Sequence, residues 1–141
     1  MTAEVDDQVL ALLRAVEHLN VHDGYVQDSD ETDKVIHAAL PYVVFYSTPG
    51  EPNEATRSVG SAPRGRIVEF QITFVGDSRE QAKRAGQRAE DALDRQVVKI
   101  AGRDRRIRRT PDNVFVRRDD TWTGPDGLPL FFGATRFRIP T

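Results

Sequence analysis

The sequence contains no cysteine among its 141 residues, which removes disulfides, thiolate zinc sites and thiol nucleophiles together. It has no long apolar run. The longest, Ala38–Tyr46, is interrupted by Pro41 and falls far short of the roughly 20 residues a spanning helix needs. The segment Met1-Thr2-Ala3-Glu4-Val5-Asp6-Asp7 is acidic and lacks an apolar stretch, so no secretory signal is read there and a soluble product of a cytoplasm is expected. Lysine is scarce: 17 of the 20 bases are arginine, with lysine at positions 34, 83 and 99 only. No internal repeat or low-complexity tract is visible. Net charge is also small, at −2, whereas a general nucleic-acid coat is strongly basic.

The length fits one domain over residues 1–141, large enough to bury a core without a covalent or metal staple. Its near-neutral total conceals a segregation. Residues 1–33 carry nine acids and one base, Arg14, a local charge of −8. Residues 95–118 carry nine bases and two acids, Asp104 and Asp112, a local charge of +7.

Val5, Val9, Leu12, Leu13, Val16 and Leu19 recur at helical spacing behind a Thr2 cap and an acidic first turn, predicting a helix that ends near Asn20. The acidic stretch 23–33 reads as an exposed connection with a turn at Asp23-Gly24. Pro41–Tyr46 is β-branched and aromatic on both faces, as in a central strand. In Arg66–Val75, Val68, Phe70, Ile72 and Phe74 alternate with polar residues, the pattern of a half-buried strand. The two strands are expected to pair as a hairpin, from which a Gly/Pro-rich loop, residues 47–65, projects. A loop of this length is usually functional or disordered.

Ser78-Arg79-Glu80-Gln81 opens a second helix with a capping box, and its inward face, Ala82, Ala85, Ala89, Ala92 and Leu93, is almost entirely small. Strands are then predicted at Val97–Ile100, Val114–Arg118 and Pro129–Ile139, with turns at Thr110–Asn113 and Thr123–Gly127. The order α-β-β-α-β-β-β describes a two-layer α+β fold: a mainly antiparallel sheet with two helices packed on one face.

No catalytic pattern emerges. His18 and His22 would share one face of a helix, but no second ligand segment accompanies them and the helix is expected to have ended. His37 has no neighbouring carboxylate or serine pattern. Gly60–Gly65 lacks the Gly-Lys-Ser/Thr ending of a phosphate loop and precedes a strand instead of a helix. Asp119-Asp120 beside Trp122 reads as solvated turn chemistry. No enzyme activity, cofactor or metal is expected.

The basic segment is the sharper feature. Arg103, Arg105, Arg106, Arg108 and Arg109 surround one apolar residue, Ile107, so a strand here carries charge on both faces. Such density calls for a negative neighbour: DNA phosphate, the acidic part of this chain, or the acidic part of another copy. The alternative is an edge strand kept from aggregating by charge. Arg136 and Arg138 add two bases at strand spacing.

In the order and spacing of its elements the chain resembles the tail-terminator, or tail-completion, proteins of long non-contractile-tailed phages. The resemblance covers most of the chain and is strongest from Pro41 to the end: it begins with the N-terminal helix followed by Pro41-Tyr42-Val43-Val44-Phe45 and then a Gly/Pro-rich loop. It continues through Arg66–Val75, the capped helix ending Ala92-Leu93-Asp94, Val98-Lys99-Ile100-Ala101-Gly102-Arg103 and Arg117-Arg118-Asp119-Asp120. Pro129-Leu130-Phe131-Phe132-Gly133 and Arg136-Phe137-Arg138-Ile139 complete it. The resemblance implies an α+β fold without catalytic residues. It further implies a ring, typically of six subunits, at the head-proximal end of the tail tube, where it stops polymerisation and receives the head-completion or connector proteins. The expected location is the virion's head–tail junction, with no membrane contact. Interface candidates are the five arginines above and, in the loop, Pro49, Glu51, Glu54, Arg57 and Arg64. The arginines face either another subunit or DNA in the lumen. Another neck protein, such as a head–tail connector or stopper, and an unrelated binding module with a basic strand remain alternatives.

Overall fold

The computed structural model describes residues 3–26, 37–47, 51–52, 66–112 and 114–140. Its first element, α1 (Ala3–Arg14), buries Val5, Val9, Leu10 and Leu13. The helix stops about a turn and a half short of the expected end. His18 adopts a left-handed φ of 59°, and the chain turns into β1 (Asn20–Asp23), a strand the periodicity does not announce. The cause is tertiary. β1 lies parallel to β2 (Tyr42–Ser47), and the Asn20 side-chain amide donates to the carbonyls of Ala39 and Pro41, each at 3.1 Å. The predicted turn follows at once: Gly24 has a φ of 81° and its N–H donates to the Phe45 carbonyl at 2.8 Å.

β2 pairs antiparallel with β4 (Arg66–Gly76), from Tyr42 opposite Val75 to Ser47 opposite Phe70, as the hairpin reading requires. The long connection is not wholly outside the sheet. Glu51–Pro52 forms a short β3 opposite Ile67 and Arg66, which prolongs the pairing along β4. After the Gly76 break, Ser78 caps α2 (Arg79–Leu93). Its hydroxyl accepts the Gln81 N–H at 3.1 Å, while the Gln81 side chain accepts the Asp77 N–H at 2.6 Å.

The hairpin of β5 (Val97–Ile100) and β6 (Arg103–Arg106) forms a separate two-stranded sheet. Its two-residue turn has positive φ at both Ala101 (52°) and Gly102 (77°), the sign pattern of a type I′ turn. β7 (Arg108–Arg109) and β8 (Arg117–Thr123) both pair antiparallel with the same side of β9 (Pro129–Pro140), at opposite ends of that strand. β8 begins later than the Val114–Arg118 expectation. Val114 and Val116 do pack against the core, so their alternation correctly reports burial, but pairing starts only with Arg117 opposite Phe132.

The main sheet runs β1-β2-β4-β9-β7, with β3 on β4 and β8 on β9, and β1–β2 is its parallel pair. α2 packs against β4 and β9, and α1 against α2, β1 and β5, so both helices cover one face. This is the two-layer α+β arrangement expected. Phe45, Phe70 and Phe137 form an aromatic row across the inner face, with Phe70 stacked on Phe137 at 5.2 Å between centroids.

Candidate interaction surfaces

The basic segment is divided between two sheets. Arg103, Asp104, Arg105 and Arg106 lie on β6, opposite Ile100, Lys99, Val98 and Val97. Ile107 is completely buried, and its backbone exchanges two 2.8 Å hydrogen bonds with Arg95 and Gln96. Arg108 and Arg109 then join the main sheet opposite Arg138 and Phe137. One buried apolar side chain, contributing about 1.5–3 kcal/mol, thus anchors the arginines on either side.

Those arginines differ in availability. Arg109 is held within the chain: its guanidinium lies 3.2 Å from Glu90 on α2 and donates to the Asp112 carbonyl at 3.2 Å, while its N–H donates to Asp94 at 3.1 Å. Glu90 also accepts the hydroxyl of Thr135, which is buried on β9. This is a clamp between α2 and the sheet, so Arg109 is structural before it can be a contact. Arg136 is similarly engaged with Asp112. Arg105 is half-buried, whereas Arg103, Arg106 and Arg108 are exposed. Arg108 stands directly opposite Arg138, which in turn stands opposite Glu69 on β4, so the cross-strand row already holds a carboxylate.

A group of acids lies on α1 and β1, and α1 also packs against the hairpin that carries Arg103–Arg106, Gln8 exchanging hydrogen bonds of 2.9 and 2.7 Å with the Lys99 backbone. Asp23 ends β1, and Glu4, Asp6 and Asp7 occupy the start of α1, which packs against β1. Burial raises the Asp6 carboxyl above its ordinary range, opposed by a 3.2 Å hydrogen bond from the Ser47 hydroxyl and reinforced by repulsion from Asp23 and Asp7.

A second feature lies on the sheet face opposite the helices, and the sequence reading missed it. Val44, Val75 and Leu130 floor an open concavity of about 410 Å³, walled by Tyr42, Tyr46, Trp122 and Phe132. Tyr46, Trp122 and Tyr25 are substantially exposed at its rim. Pro41–Tyr46 was apolar on both faces, which suits a strand covered on both sides, yet among the described residues its outer face is covered only in part. The alternation Tyr42, Val44, Tyr46 was the available signal.

Other candidates resolve simply. His18 lies in a turn and His22 on β1, so the helical ligand pair does not form. Asp119 accepts both the backbone N–H and the hydroxyl of Thr121, at 2.9 and 2.6 Å, and these bonds hold its carboxyl below the usual range. Asp120 pairs with Arg118 at 2.8 Å. Among the described residues no group of three or more His, Asp or Glu side chains is placed to hold a metal, and no helix is long and apolar enough to cross a membrane. Pro49, Glu54, Arg57 and Arg64 lie outside the described residues, and of Glu51 only the β3 backbone is described.

No protein-family model matches the sequence, and no curated protein matches it. Among solved structures the chain is similar to one in the virion of a native gene transfer agent (GTA) particle, at 19% identity and a TM-score of 0.54. The likeness is one of fold. It spans 94% of this chain and 92% of the other.

Proposed function

We propose that this chain is a structural virion protein, without enzymatic activity, that assembles as a ring on the head-proximal end of a phage tail tube. The observation that carries the virion assignment is the near full-length likeness to a chain of the gene transfer agent virion. The narrower role rests on the resemblance to tail terminators in the order of elements, with which the helix-covered antiparallel sheet agrees. Six copies would close the ring, one surface meeting the tube protein and the other the head-completion proteins. The charge distribution supports assembly from identical copies, because a ring needs two unlike surfaces on each subunit.

The test is electron microscopy of the purified protein mixed with tail tubes. A terminator gives one ring at one end of each tube and arrests further growth. Rings on portal complexes with bare tube ends would instead identify a connector or stopper, and the absence of binding to either would remove the virion-neck reading. Deleting residues 49–63, the segment expected to dock, should leave the circular dichroism spectrum of the fold intact and abolish capping. Normal capping by that variant would remove the loop from the interface.

A further inference from the structure

Tyr25, Tyr46 and Trp122, three of the six large apolar side chains exposed among the described residues, stand on the rim of the outer-face concavity. Exposed aromatic groups gathered in one place mark a contact surface, whereas scattered ones need no explanation. Among the described residues Asp119 is the one carboxylate, ammonium or guanidinium that lines it; Arg117 stands at its margin, 5.6 Å from the centroid of the Phe132 ring. Aromatic walls with a carboxylate suit a segment that offers proline and small apolar groups together with arginine. Tyr and Trp rings take both a proline ring and a guanidinium face.

The sequence supplies such a segment at the other end of β4. Residues 53–65 contain Ala55, Val59, Ala62 and Pro63 with Arg57 and Arg64, against a single acid, Glu54. Their ends are fixed by the pairing of Pro52 with Arg66. Thirteen residues anchored at both ends put their midpoint, Val59, at most about 24 Å from that pair. The floor of the same copy's concavity, at Val75, lies nine residues along β4 from Arg66, about 30 Å away. Between the two, the same face carries Glu69 and Gln71 opposite Arg138 and Arg136, a polar stretch.

We propose that residues 53–65 of one copy seat in the outer-face concavity of the next, Val59 and Pro63 against its aromatic walls and an arginine of the segment toward Asp119. The proposal rests on the ring reading above and specifies one of its subunit contacts. Segment and concavity belong to opposite ends of β4, so each copy offers one of them to each neighbour, as a head-to-tail ring requires. Residues 27–36, also outside the described structure, join two other residues that line the concavity, Val26 and His37. With four acids and one lysine, that stretch is the poorer match for Asp119.

The lack of native cysteine allows a direct test. Single-cysteine variants Val59→Cys and Thr123→Cys, the second at an exposed residue lining the concavity, are mixed in equal amounts, one of them tagged. They are assembled on tail tubes, imaged by electron microscopy and treated with a short bis-maleimide. Covalent dimers holding one of each variant are expected, and none when Arg88→Cys, exposed on α2, replaces Thr123→Cys. Trp122→Ala, shown folded by circular dichroism, should weaken self-association in sedimentation velocity by about tenfold or more, the loss typical of a buried interface aromatic. Rings without the crosslink would overturn the contact and leave the ring reading intact. A concentration-independent crosslink inside single chains of the double variant V59C/T123C would place the segment on its own copy and overturn the proposal. Trp122 is the sole tryptophan, so its emission reports what sits beside it. A blue shift with a synthetic peptide of residues 27–36, and none with one of residues 53–65, would give the concavity to the other segment and overturn the proposal as well. Crosslinked copies that never close on tubes would keep the docking and remove the ring; the absence of both rings and crosslinks would remove both.

Discussion

Glu90 joins α2 to the sheet: it accepts the Thr135 hydroxyl at 3.0 Å and faces the Arg109 guanidinium at 3.2 Å. Thr135 is buried on a strand face otherwise made of apolar residues and glycine, so its hydroxyl has no route to bulk solvent. Glu90→Ala should therefore destabilise the fold by about 1–3 kcal/mol, the cost of a buried donor left without its partner. Glu90→Gln, which keeps an oxygen for Thr135, should cost less; urea unfolding of the two variants measures the order. His22 offers a second test. Its Nε2 is buried without a hydrogen-bond partner among the described residues, its ring lies edge-on to Tyr42, and burial lowers its pKa from the ordinary 6.5. The unfolded chain then takes up the proton first. The His22 contribution is complete above about pH 6.5 and is lost progressively as pH falls toward the folded pKa. His22→Gln should reduce the drop in urea midpoint between pH 7.5 and pH 5.5. An unchanged drop would place the titration elsewhere.

At the scale of elements, α2 shows why its inward face is small. A Cβ on Gly86 would come within 2.9 Å of the Phe74 ring, and one on Gly133 within 2.7 Å of the same ring from the sheet side. The ring is thus gripped between helix and strand, and the alanines to either side let the helix approach this closely. Gly→Ala in an exposed helix gains up to about 1 kcal/mol. Gly86→Ala should do the opposite and lower stability by about 1–2 kcal/mol net, because overpacking outweighs the propensity gain. Thermal unfolding gives the sign, and a rise in midpoint would mean that Phe74 yields without cost. The capped start of α2, the alternation in β4 and the pairing of β2 with β4 were all legible in the sequence, because each depends on residues close together in the chain. The early end of α1 and the existence of β1 were not. Leu19 and Val21 continue an apolar pattern that fits a helix or a strand, and only the β2 edge decides between them.

At the scale of the whole molecule, the fold and the proposed assembly should differ in their sensitivity to salt. Exposed ion pairs contribute little to folding, whereas association that depends on complementary charged groups weakens directly as salt screens them. Raising ionic strength from about 0.15 M to 1 M shortens the screening length from about 8 to 3 Å. Self-association on tubes should weaken more than about tenfold while the thermal midpoint moves by only a few degrees. Equal loss of both would tie the charges to the fold instead of the assembly. The concavity on the outer face belongs to this scale too. Its aromatic walls come from β2, β8 and β9, and no local stretch of sequence contains enough of them to reveal a surface.

The sequence by itself determined the fold class, the two helices, the β2–β4 and β9 strands and the unequal distribution of charge, since these follow from periodicity, capping and counting along the chain. Tertiary structure decided where the charges went. Ile107 had to be buried, and this divided the arginines between two sheets; Arg109 was drawn into a clamp with Glu90, and Arg108 was left exposed at the sheet's end. Placing β1 and β7 at opposite edges is likewise a property of strand order, which depends on pairing between distant segments. It set Asp23 and Arg108 on strands at opposite ends of the sheet, and it laid the hairpin that carries Arg103–Arg106 against α1.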